Sequence, residues 1–278
     1  MTVASTERRL ARTATGDPLL GNDEGFILLT AADPSLTSVE SALSRHPADL
    51  PDPGAVAARR LSPAHLSFAP PLDRPGKLFG IGLNYADHAA DLDEDHPDEP
   101  ASFFKPATAL TGPGGPIRLP PTEITNHVTA EAELAVVIGR TCSDVPVDAV
   151  DSVIGGFVPV IDMTAEDVLR RNPRFLTRSK SFDTFLVMGS EIVVPDPGVD
   201  LDDVAVRTVV DDEVKAANTV ANMHFSPREL VAFHSRVMTL EPGDVISTGT
   251  PGAHRIEPGD TVRAEVDGVG SVSADVVR

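Results

Sequence analysis

The sequence predicts an α+β protein in which β-sheet predominates and the helices are short. Apolar runs bounded by Gly, Pro or Asp recur along the chain, and such runs are typical of buried strands. The clearest helical period lies at residues 227–238. After residue 238 the chain alternates Gly-containing turns with strand-like segments. Together these features indicate a mainly β architecture with a few helices.

Residues 1–70 are expected to form a small N-terminal domain. A short strand at 26–30 precedes a helical stretch at 38–45, without strong periodicity around them. The sequence MTVASTERRLARTATG at the N-terminus lacks the apolar run of a secretory signal, so we expect a frayed tail there. The Pro- and Gly-rich cluster at 70–76 is typical of a linker, so a larger domain is expected at 71–278.

The larger domain is predicted to combine buried strands with two helices. The strands are expected at 77–83, 131–139, 154–161, 182–187 and 204–210, and the helices at 165–171 and 227–238. Ser226 can cap the second helix, and Pro227 suits its first position. Asp211 and Asp212 suit a hairpin turn after the strand at 204–210.

Composition and charge exclude several classes of function. The chain has 278 residues, and its hydrophobic fraction of 41% is ordinary for a globular protein with a sizeable core. A formal net charge of -19 argues against nucleic acid and anionic membranes as partners, because their phosphates would be repelled. No apolar run is long enough for a membrane helix. A single cysteine, Cys142, fits a reducing compartment, so we expect a cytoplasmic protein.

Common catalytic signatures are absent from the sequence. It contains no GxSxG, no P-loop and no HExxH, and Gly80 and Gly82 do not begin a GxGxxG because Tyr85 stands at the position of the third Gly. A serine hydrolase, an NTPase and a dinucleotide enzyme are therefore disfavoured. Cys142 follows an apolar run and has no local histidine, so it is a poor candidate for a nucleophile.

Glu131 and Glu133 form the first candidate metal-binding pair. On a strand, residues i and i+2 point to the same face, and the apolar run after them carries this strand into a core. Adjacent buried carboxylates need a cation, whereas two solvated glutamates at an exposed strand end are the alternative. Asp162 follows the apolar run 155–161 and could add a third carboxylate at the strand tip, or could only form a turn. Oxygen ligands of this kind suit Mg²⁺, Mn²⁺ or Ca²⁺.

His88 and Lys180 are the candidates for acid–base chemistry. His88 and Asp91 share one face if their segment is helical, so the carboxylate could hold the imidazole as a general base. The chain has four lysines against nineteen arginines, which draws attention to Lys180 among apolar neighbours. Its amine could pair with a metal-bound carboxylate or with the substrate, or it could form a Schiff base. A solvated histidine and a surface salt bridge are the alternatives.

Six sequence blocks occur in an order that resembles the fumarylacetoacetate hydrolase family. The blocks are KLFGIGLNYADH, FFKPATALTGPGGPI, EAELAVVIGR, an Asp after a Gly-Gly apolar strand, TRSKSFDTF and MTLEPGDVISTGTP. The resemblance covers residues 77–251. It implies a compact mixed β-sheet roll with short helices, preceded by a small N-terminal domain, and a homodimer.

The resemblance also implies roles for individual residues. Glu131, Glu133 and Asp162 match the family's metal ligands, for Mg²⁺ or Mn²⁺. The other residues implied for the site are His88 with Asp91 as the general base and its partner, Lys180 beside the metal, and Tyr85, Arg178 and Thr250 as contacts to the substrate.

Two positions near the implied site depart from the family's pattern. Asp91 stands where a Glu is usual, and its side chain is one methylene shorter. Glu166 stands where the family commonly has an Arg, so a cation is replaced by an anion. The block TGTP continues as Gly-Ala-His-Arg instead of towards Gly-Val. These departures concern acid–base chemistry and substrate choice rather than the metal ligands.

The expected activity is divalent-metal-dependent hydrolysis of a C–C bond in a small 2-oxo acid such as an acylpyruvate. The metal would act as a Lewis acid, and His88 would activate water. Decarboxylation, isomerisation or lyase chemistry on the same fold is the first alternative. A catalytically weak protein that binds a metal and a small acid is the second. A lysine-dependent aldolase is a more distant one.

Overall fold

The computed structural model describes residues 8–85, 97–196 and 198–278. The strands in these ranges are β1 (Arg9–Thr13), β2 (Pro18–Asn22), β3 (Gly25–Leu28), β4 (Phe68–Ala69), β5 (Leu78–Gly82), β6 (Ala101–Lys105), β7 (Leu110–Thr111), β8 (Ile117–Arg118), β9 (Val128–Ile138), β10 (Ile154–Ala165), β11 (Leu186–Met188), β12 (Glu191–Val193), β13 (Ala205–Val210), β14 (Glu213–Thr219), β15 (Val245–Ser247), β16 (His254–Ile256), β17 (Thr261–Val266) and β18 (Gly270–Val277).

The helices in the described ranges are short. The α-helices are α1 (Leu29–Ala32), α2 (Val39–Leu43), α3 (Glu166–Arg171), α4 (Leu176–Lys180) and α5 (Pro227–Val237). Single 3-10 turns lie at Pro47–Asp49, Pro63–His65, Ala107–Ala109, Val147–Ser152, Pro173–Phe175 and Val220–Asn222. None of the helices in the described part of the chain is long and apolar enough to cross a membrane.

The strands form two sheets. The larger sheet has the order β3-β2-β1-β12-β10-β9-β15-β5-β6, with β4, β7, β11 and β16 attached beside it. The smaller sheet has the order β14-β13-β17-β18-β8. Parallel pairs, such as β15 with β5, occur beside antiparallel ones, such as β9 with β10. The predicted α+β class, a mixed sheet roll with short helices, is therefore confirmed.

The antiparallel pair β9–β10 lies at the centre of the molecule and is buried on both faces. On one face Leu134 and Val136 pack into a core shared with the smaller sheet. On the other face Ala135 and Val137 pack into a core that includes apolar residues of the N-terminal elements, among them Leu20. Burial on both faces explains why these strands are continuous apolar runs rather than alternating ones.

The N-terminal segment is more ordered than the sequence predicts. The frayed tail expected over the first sixteen residues is wrong from Arg9 onward, because β1 pairs with β2 and with β12. Its partner β12 is far away in sequence, so local patterns could not reveal this pairing. The strand expected at 26–30 ends at Leu28, and α1 begins at Leu29. Strand β1 belongs to the same sheet as strands of the larger predicted domain. The domain boundary near residue 70 stays a prediction.

Most predicted elements of the larger domain occur with small shifts. Helix α5 begins after Ser226, whose hydroxyl accepts from the Glu229 N–H (3.3 Å), while the Glu229 carboxylate accepts from the Ser226 N–H (2.8 Å). Asp211 and Asp212 have φ of 51° and 62° and form the predicted turn between β13 and β14. Strand β10 continues to Ala165, so Asp162 lies within the strand and not at its tip.

Candidate metal centre

Three carboxylates converge on one face of the β9–β10 pair. Glu131 and Glu133 lie two residues apart on β9, and Glu131 is directly opposite Asp162 on β10. Opposite residues of an antiparallel pair point to the same face, so the register brings all three side chains together. Their carboxylate oxygens lie within 4.8 Å of one another. The exposed fractions of the residues are 5%, 1% and 0%, so the alternative of solvated glutamates at a strand end is wrong.

Neighbouring hydrogen-bond donors fix the orientation of both glutamates. Glu133 Oε2 accepts from Ser247 Oγ (2.6 Å) and from the backbone N–H of Gly249 (2.7 Å). Gly249 has φ of +99°, a backbone conformation that favours glycine and that aims its N–H at this carboxylate. Glu131 Oε1 accepts from Thr164 Oγ1 (2.6 Å). The two glutamates are therefore held in defined rotamers from both neighbouring strands.

Two buried lysines contact the carboxylates. Lys180 Nζ lies 2.8 Å from Glu131 Oε2 and 3.1 Å from Asp162 Oδ2. Lys105 Nζ lies 2.5 Å from Asp162 Oδ1 and donates to the backbone oxygens of Lys180 (2.5 Å) and Phe185 (2.8 Å). Lys105 thus links the Asp162 carboxylate to the C-terminal end of α4, the helix that carries Lys180.

Burial and charge shift the pKa values of these groups in opposite directions. Burial, followed by the charges of Asp162 and Glu131, raises the pKa of Glu133 to about 8. Burial alone would lower the pKa of Lys180, but the surrounding carboxylates raise it above its ordinary value, so the amine stays protonated. Burial lowers the pKa of Lys105 despite its contact with Asp162. The cluster therefore has an excess of negative charge that a proton on Glu133 or a cation can neutralise.

The donor set of this cluster fits a divalent cation. Three carboxylates that converge in a buried site provide only oxygen ligands, which Mg²⁺ and Mn²⁺ prefer to the nitrogen and sulfur ligands typical of Zn²⁺. Glu131, Glu133 and Asp162 are therefore the residues that could hold such an ion. Lys180 contacts two of the three and orients them.

Tyr85 has a buried hydroxyl whose pKa responds to the charge of Glu133. Its Oη has no hydrogen-bond partner among the described residues. Burial, and then the charge of Glu133, raises the pKa of Tyr85, so the phenol stays protonated. The adjacent Asn84 donates to the backbone oxygens of Thr248 (2.7 Å) and Phe225 (2.9 Å). These bonds tie the chain at Tyr85 to the loop that carries Gly249.

The other predicted site residues are not all brought to this cluster. His88 and Asp91 lie outside the described residues. Thr250 is buried next to Gly249, but its hydroxyl donates to the backbone oxygen of Gly252 (3.0 Å) within its own turn. Arg178 is exposed, and its guanidinium lies 5.6 Å from the centre of the Phe175 ring. The roles of these residues stay predictions.

Sequence reasoning assigned no role to Lys105, Ser247 and Asn84. The small number of lysines in the sequence is a signal that could have pointed to Lys105, as it did to Lys180. Two of the four lysines of the chain lie in this cluster. Ser247 and Asn84 act through contacts with residues more than a hundred positions away, and no local pattern marks them. Cys142 is buried and burial raises the pKa of its thiol, in agreement with its dismissal as a nucleophile.

Glu166, the residue at which an Arg is common in the family, lies at the edge of the cluster. It is the first residue of α3, directly after β10. Its Oε1 accepts from Thr129 Oγ1 (3.3 Å), and the same hydroxyl lies 3.4 Å from Glu131 Oε1. A fourth carboxylate is therefore connected to the carboxylate cluster through one threonine.

The fold and this carboxylate cluster define a protein of the fumarylacetoacetate hydrolase family. The family model for the fumarylacetoacetate (FAA) hydrolase C-terminal region matches residues 77–277, most of the chain. The chain therefore belongs to this family, and the resemblance found in its sequence blocks is confirmed.

Its relatives catalyse different reactions. The chain is 33% identical to the human mitochondrial oxaloacetate tautomerase FAHD2A over 274 residues, 92% of this chain and 85% of the relative. A 5-carboxymethyl-2-hydroxymuconate delta-isomerase structure from Mycobacterium smegmatis is 34% identical, with a TM-score of 0.78 over 97% of this chain and 99% of the other. A maleylpyruvate hydrolase from Sphingobium sp. SYK-6, solved with manganese(II) and pyruvate, is 29% identical, with a TM-score of 0.79 over 97% and 98%.

These comparisons support the prediction of an enzyme with a divalent metal centre, but they do not single out one reaction. The family includes a tautomerase, an isomerase and a hydrolase among the relatives of this chain. The choice between Mg²⁺ and Mn²⁺ stays open. The homodimer and the cytoplasmic location stay predictions.

Proposed function

We propose that the protein is a divalent-metal-dependent enzyme that hydrolyses a C–C bond in a small 2-oxo acid of the acylpyruvate type. The observation that carries this proposal is the convergence of three buried carboxylates within 4.8 Å, two of which contact the ammonium group of Lys180. Three buried carboxylates lower the stability of the folded protein unless a cation is bound. A function that uses the bound cation explains why the protein has this cluster.

Glu131, Glu133 and Asp162 would hold Mg²⁺ or Mn²⁺. When bound, such an ion supplies Lewis-acid polarisation of a carbonyl group. Lys105 is counted here as an ammonium group because its Nζ contacts acceptor oxygens of Asp162, Lys180 and Phe185. Three carboxylates, two lysine ammonium groups and a divalent ion then sum to one positive charge before Glu166 is included, which matches the single carboxylate of a 2-oxo acid. The charge of the loaded centre therefore favours a small organic anion as its ligand.

Tyr85 and Lys180 supply hydrogen bonds and positive charge around the substrate. The Tyr85 hydroxyl has no partner among the described residues, and its raised pKa keeps it a neutral donor for an oxygen of the bound acid. The Lys180 ammonium group holds two carboxylates and adds positive charge where an enolate would develop. Both residues act without losing a proton.

Hydrolysis requires a water molecule and a base in addition to this centre. Water would add its hydroxyl to the distal acyl carbon, and the C–C bond electrons would pass to the 2-oxo acid fragment. Protonation of that fragment then gives pyruvate or its homologue, beside a carboxylic acid. We propose His88, oriented by Asp91, as the base. The maleylpyruvate hydrolase with manganese(II) and pyruvate supports this form of the proposal.

Isomerisation, tautomerisation or decarboxylation is the second candidate. Each needs an enolate of a 2-oxo acid but no attacking water, and the tautomerase and isomerase relatives favour it. A Schiff-base aldolase is disfavoured, because Lys180 is a protonated ammonium group bound by two carboxylates rather than a free amine. A protein that binds a metal and an acid without turnover is the remaining alternative.

Pyruvate release from a panel of acylpyruvates and oxaloacetate tests the proposal. We expect release with Mg²⁺ or Mn²⁺, none with EDTA, and none from Glu131→Gln. Release from acylpyruvates indicates hydrolysis, and release from oxaloacetate alone indicates decarboxylation. His88→Ala should remove hydrolysis while leaving any decarboxylation. Release that persists in Glu131→Gln and with EDTA contradicts the metal centre as the site of reaction.

A further inference from the structure

Glu166 brings a fourth carboxylate to the metal centre. Its Oε1 and Glu131 Oε1 both lie within hydrogen-bonding range of Thr129 Oγ1, at 3.3 and 3.4 Å, so the two carboxylates are separated by little more than one hydroxyl group. The Glu166 side chain is only 14% exposed. Its charge therefore acts on groups at the centre, because partly buried charges are weakly screened.

No buried cation among the described residues neutralises Glu166. Lys180 and Lys105 contact Glu131 and Asp162 instead. Arg170 Nε approaches Glu166 Oε2 only to 3.8 Å, and the Arg170 side chain is 66% exposed. A contact at this distance with a mostly solvated guanidinium contributes little. Glu166 therefore has no buried cationic partner within the described ranges, and its carboxylate oxygens can accept further hydrogen bonds.

The net charge of the metal-loaded centre determines which substrate charges Glu166 would attract or repel. The triad, the two lysines and a divalent ion leave one positive charge, and the carboxylate of one 2-oxo acid uses it. The carboxylate of Glu166 is not included in this sum of charges, and it lies on the side of Glu131. A second carboxylate on the substrate would meet a negative charge there, whereas a hydroxyl group could donate to it.

We propose that Glu166 makes the site selective for 2-oxo monocarboxylates with an uncharged tail and disfavours 2-oxo dicarboxylates. This inference rests on the proposed function, since it assumes that the carboxylate end of a 2-oxo acid binds at the metal. Glu166 is a specificity-determining residue in this account and takes no part in proton transfer.

Two ligands of equal chain length test the inference. 2-Oxopentanoate and 2-oxoglutarate differ only by the terminal carboxylate, and their binding to the Mg²⁺-loaded protein can be measured by calorimetry. We expect 2-oxopentanoate to bind at least about tenfold more tightly, the effect of one uncompensated like-charge contact. In Glu166→Gln the preference should fall by about tenfold, mainly because 2-oxoglutarate binds more tightly.

A matched control variant separates the effect of the charge at position 166 from the effect of removing any carboxylate from the protein. Glu24→Gln removes an exposed carboxylate in the turn between β2 and β3 and should leave the preference unchanged. The Mg²⁺ affinity of each variant is measured first, so a disturbed metal centre is recognised. Should Glu166→Gln fail to fold, the preference of the wild-type protein still tests the inference, because it follows from the native charge.

Each outcome bears on a different claim. Equal binding of the two ligands to the wild-type protein, or a preference that Glu166→Gln leaves intact, overturns the role of Glu166 while the proposed function stands. Binding of Mg²⁺ without binding of either 2-oxo acid contradicts the proposed substrate class and, with it, this inference. A preference that Glu166→Gln removes and Glu24→Gln retains supports both.

Discussion

Replacing Glu133 with Gln should remove a pH-dependent part of the stability of the metal-free protein. Burial and the neighbouring carboxylates raise the pKa of Glu133 from 4.5 to about 8 in the folded state. A raised pKa means that the folded protein binds this proton more tightly than the unfolded chain does. The stabilisation is therefore complete below pH 4.5 and is lost as the pH rises towards 8.

The size of the effect follows from the pKa difference. Between these two pKa values, one proton changes the free energy of unfolding by about 1.4 kcal/mol per pH unit. From pH 6.0 to 7.5, Glu133 should therefore cost the metal-free protein about 2 kcal/mol of stability. Glu133→Gln has no ionisable group at this position, so its stability should lack this loss.

Urea unfolding in EDTA at several pH values measures the effect. The stability difference between the wild-type protein and Glu133→Gln should change by about 2 kcal/mol over this interval, because all other titrating groups are shared. Glu24→Gln, which removes an exposed glutamate, should run parallel to the wild type. If the stability of the wild-type protein changes with pH in the same way as that of Glu133→Gln, the assignment of a buried proton to Glu133 is refuted.

Three further predictions concern single substitutions. Lys180→Met removes the ammonium group between Glu131 and Asp162 and leaves Lys105 as the cation that contacts Asp162. The metal-free protein should therefore lose about 3–5 kcal/mol in urea unfolding. Added Mg²⁺ should restore part of this loss, and an unchanged midpoint would contradict the ion pairs. Gly249→Ala places a Cβ 2.9 Å from Asn84 Cβ at a positive φ and should cost about 1–3 kcal/mol and weaken Mg²⁺ binding, so normal affinity would count against the role of its N–H. Ser226→Ala removes the cap that accepts from Glu229 and should lower stability by about 1 kcal/mol with unchanged Mg²⁺ affinity, whereas a loss of affinity would show long-range coupling.

The convergence of the two glutamates could be predicted from the sequence because it follows a local rule. The i, i+2 spacing of Glu131 and Glu133 on an apolar strand is enough to put both carboxylates on one face. Asp162 is a candidate third carboxylate from its place after an apolar run and from the order of the sequence blocks, but its position opposite Glu131 cannot be predicted, because neither strand alone determines their register. The structure brings it opposite Glu131 and extends the strand beyond it.

The parts that were missed depend on contacts between distant segments. Lys105 reaches Asp162 and the end of α4 from the edge strand β6, and Ser247 reaches Glu133 from β15. Strand β1 is stabilised by pairing with β12, although its own sequence suggested a tail. Local propensity describes a segment by itself, whereas these features arise from packing between segments that the fold brings together.

Enolate formation is common to hydrolysis, isomerisation and decarboxylation, so proton exchange at C3 of a 2-oxo acid tests the central claim most directly. The measurement is NMR of 2-oxobutanoate in D₂O with the Mg²⁺-loaded protein. We predict that the C3 protons exchange faster than in buffer with Mg²⁺ alone, and that both EDTA and Glu131→Gln abolish the acceleration. Acceleration that survives both treatments, or none at all while the protein binds Mg²⁺ and the acid, would contradict a metal centre built for 2-oxo acid chemistry.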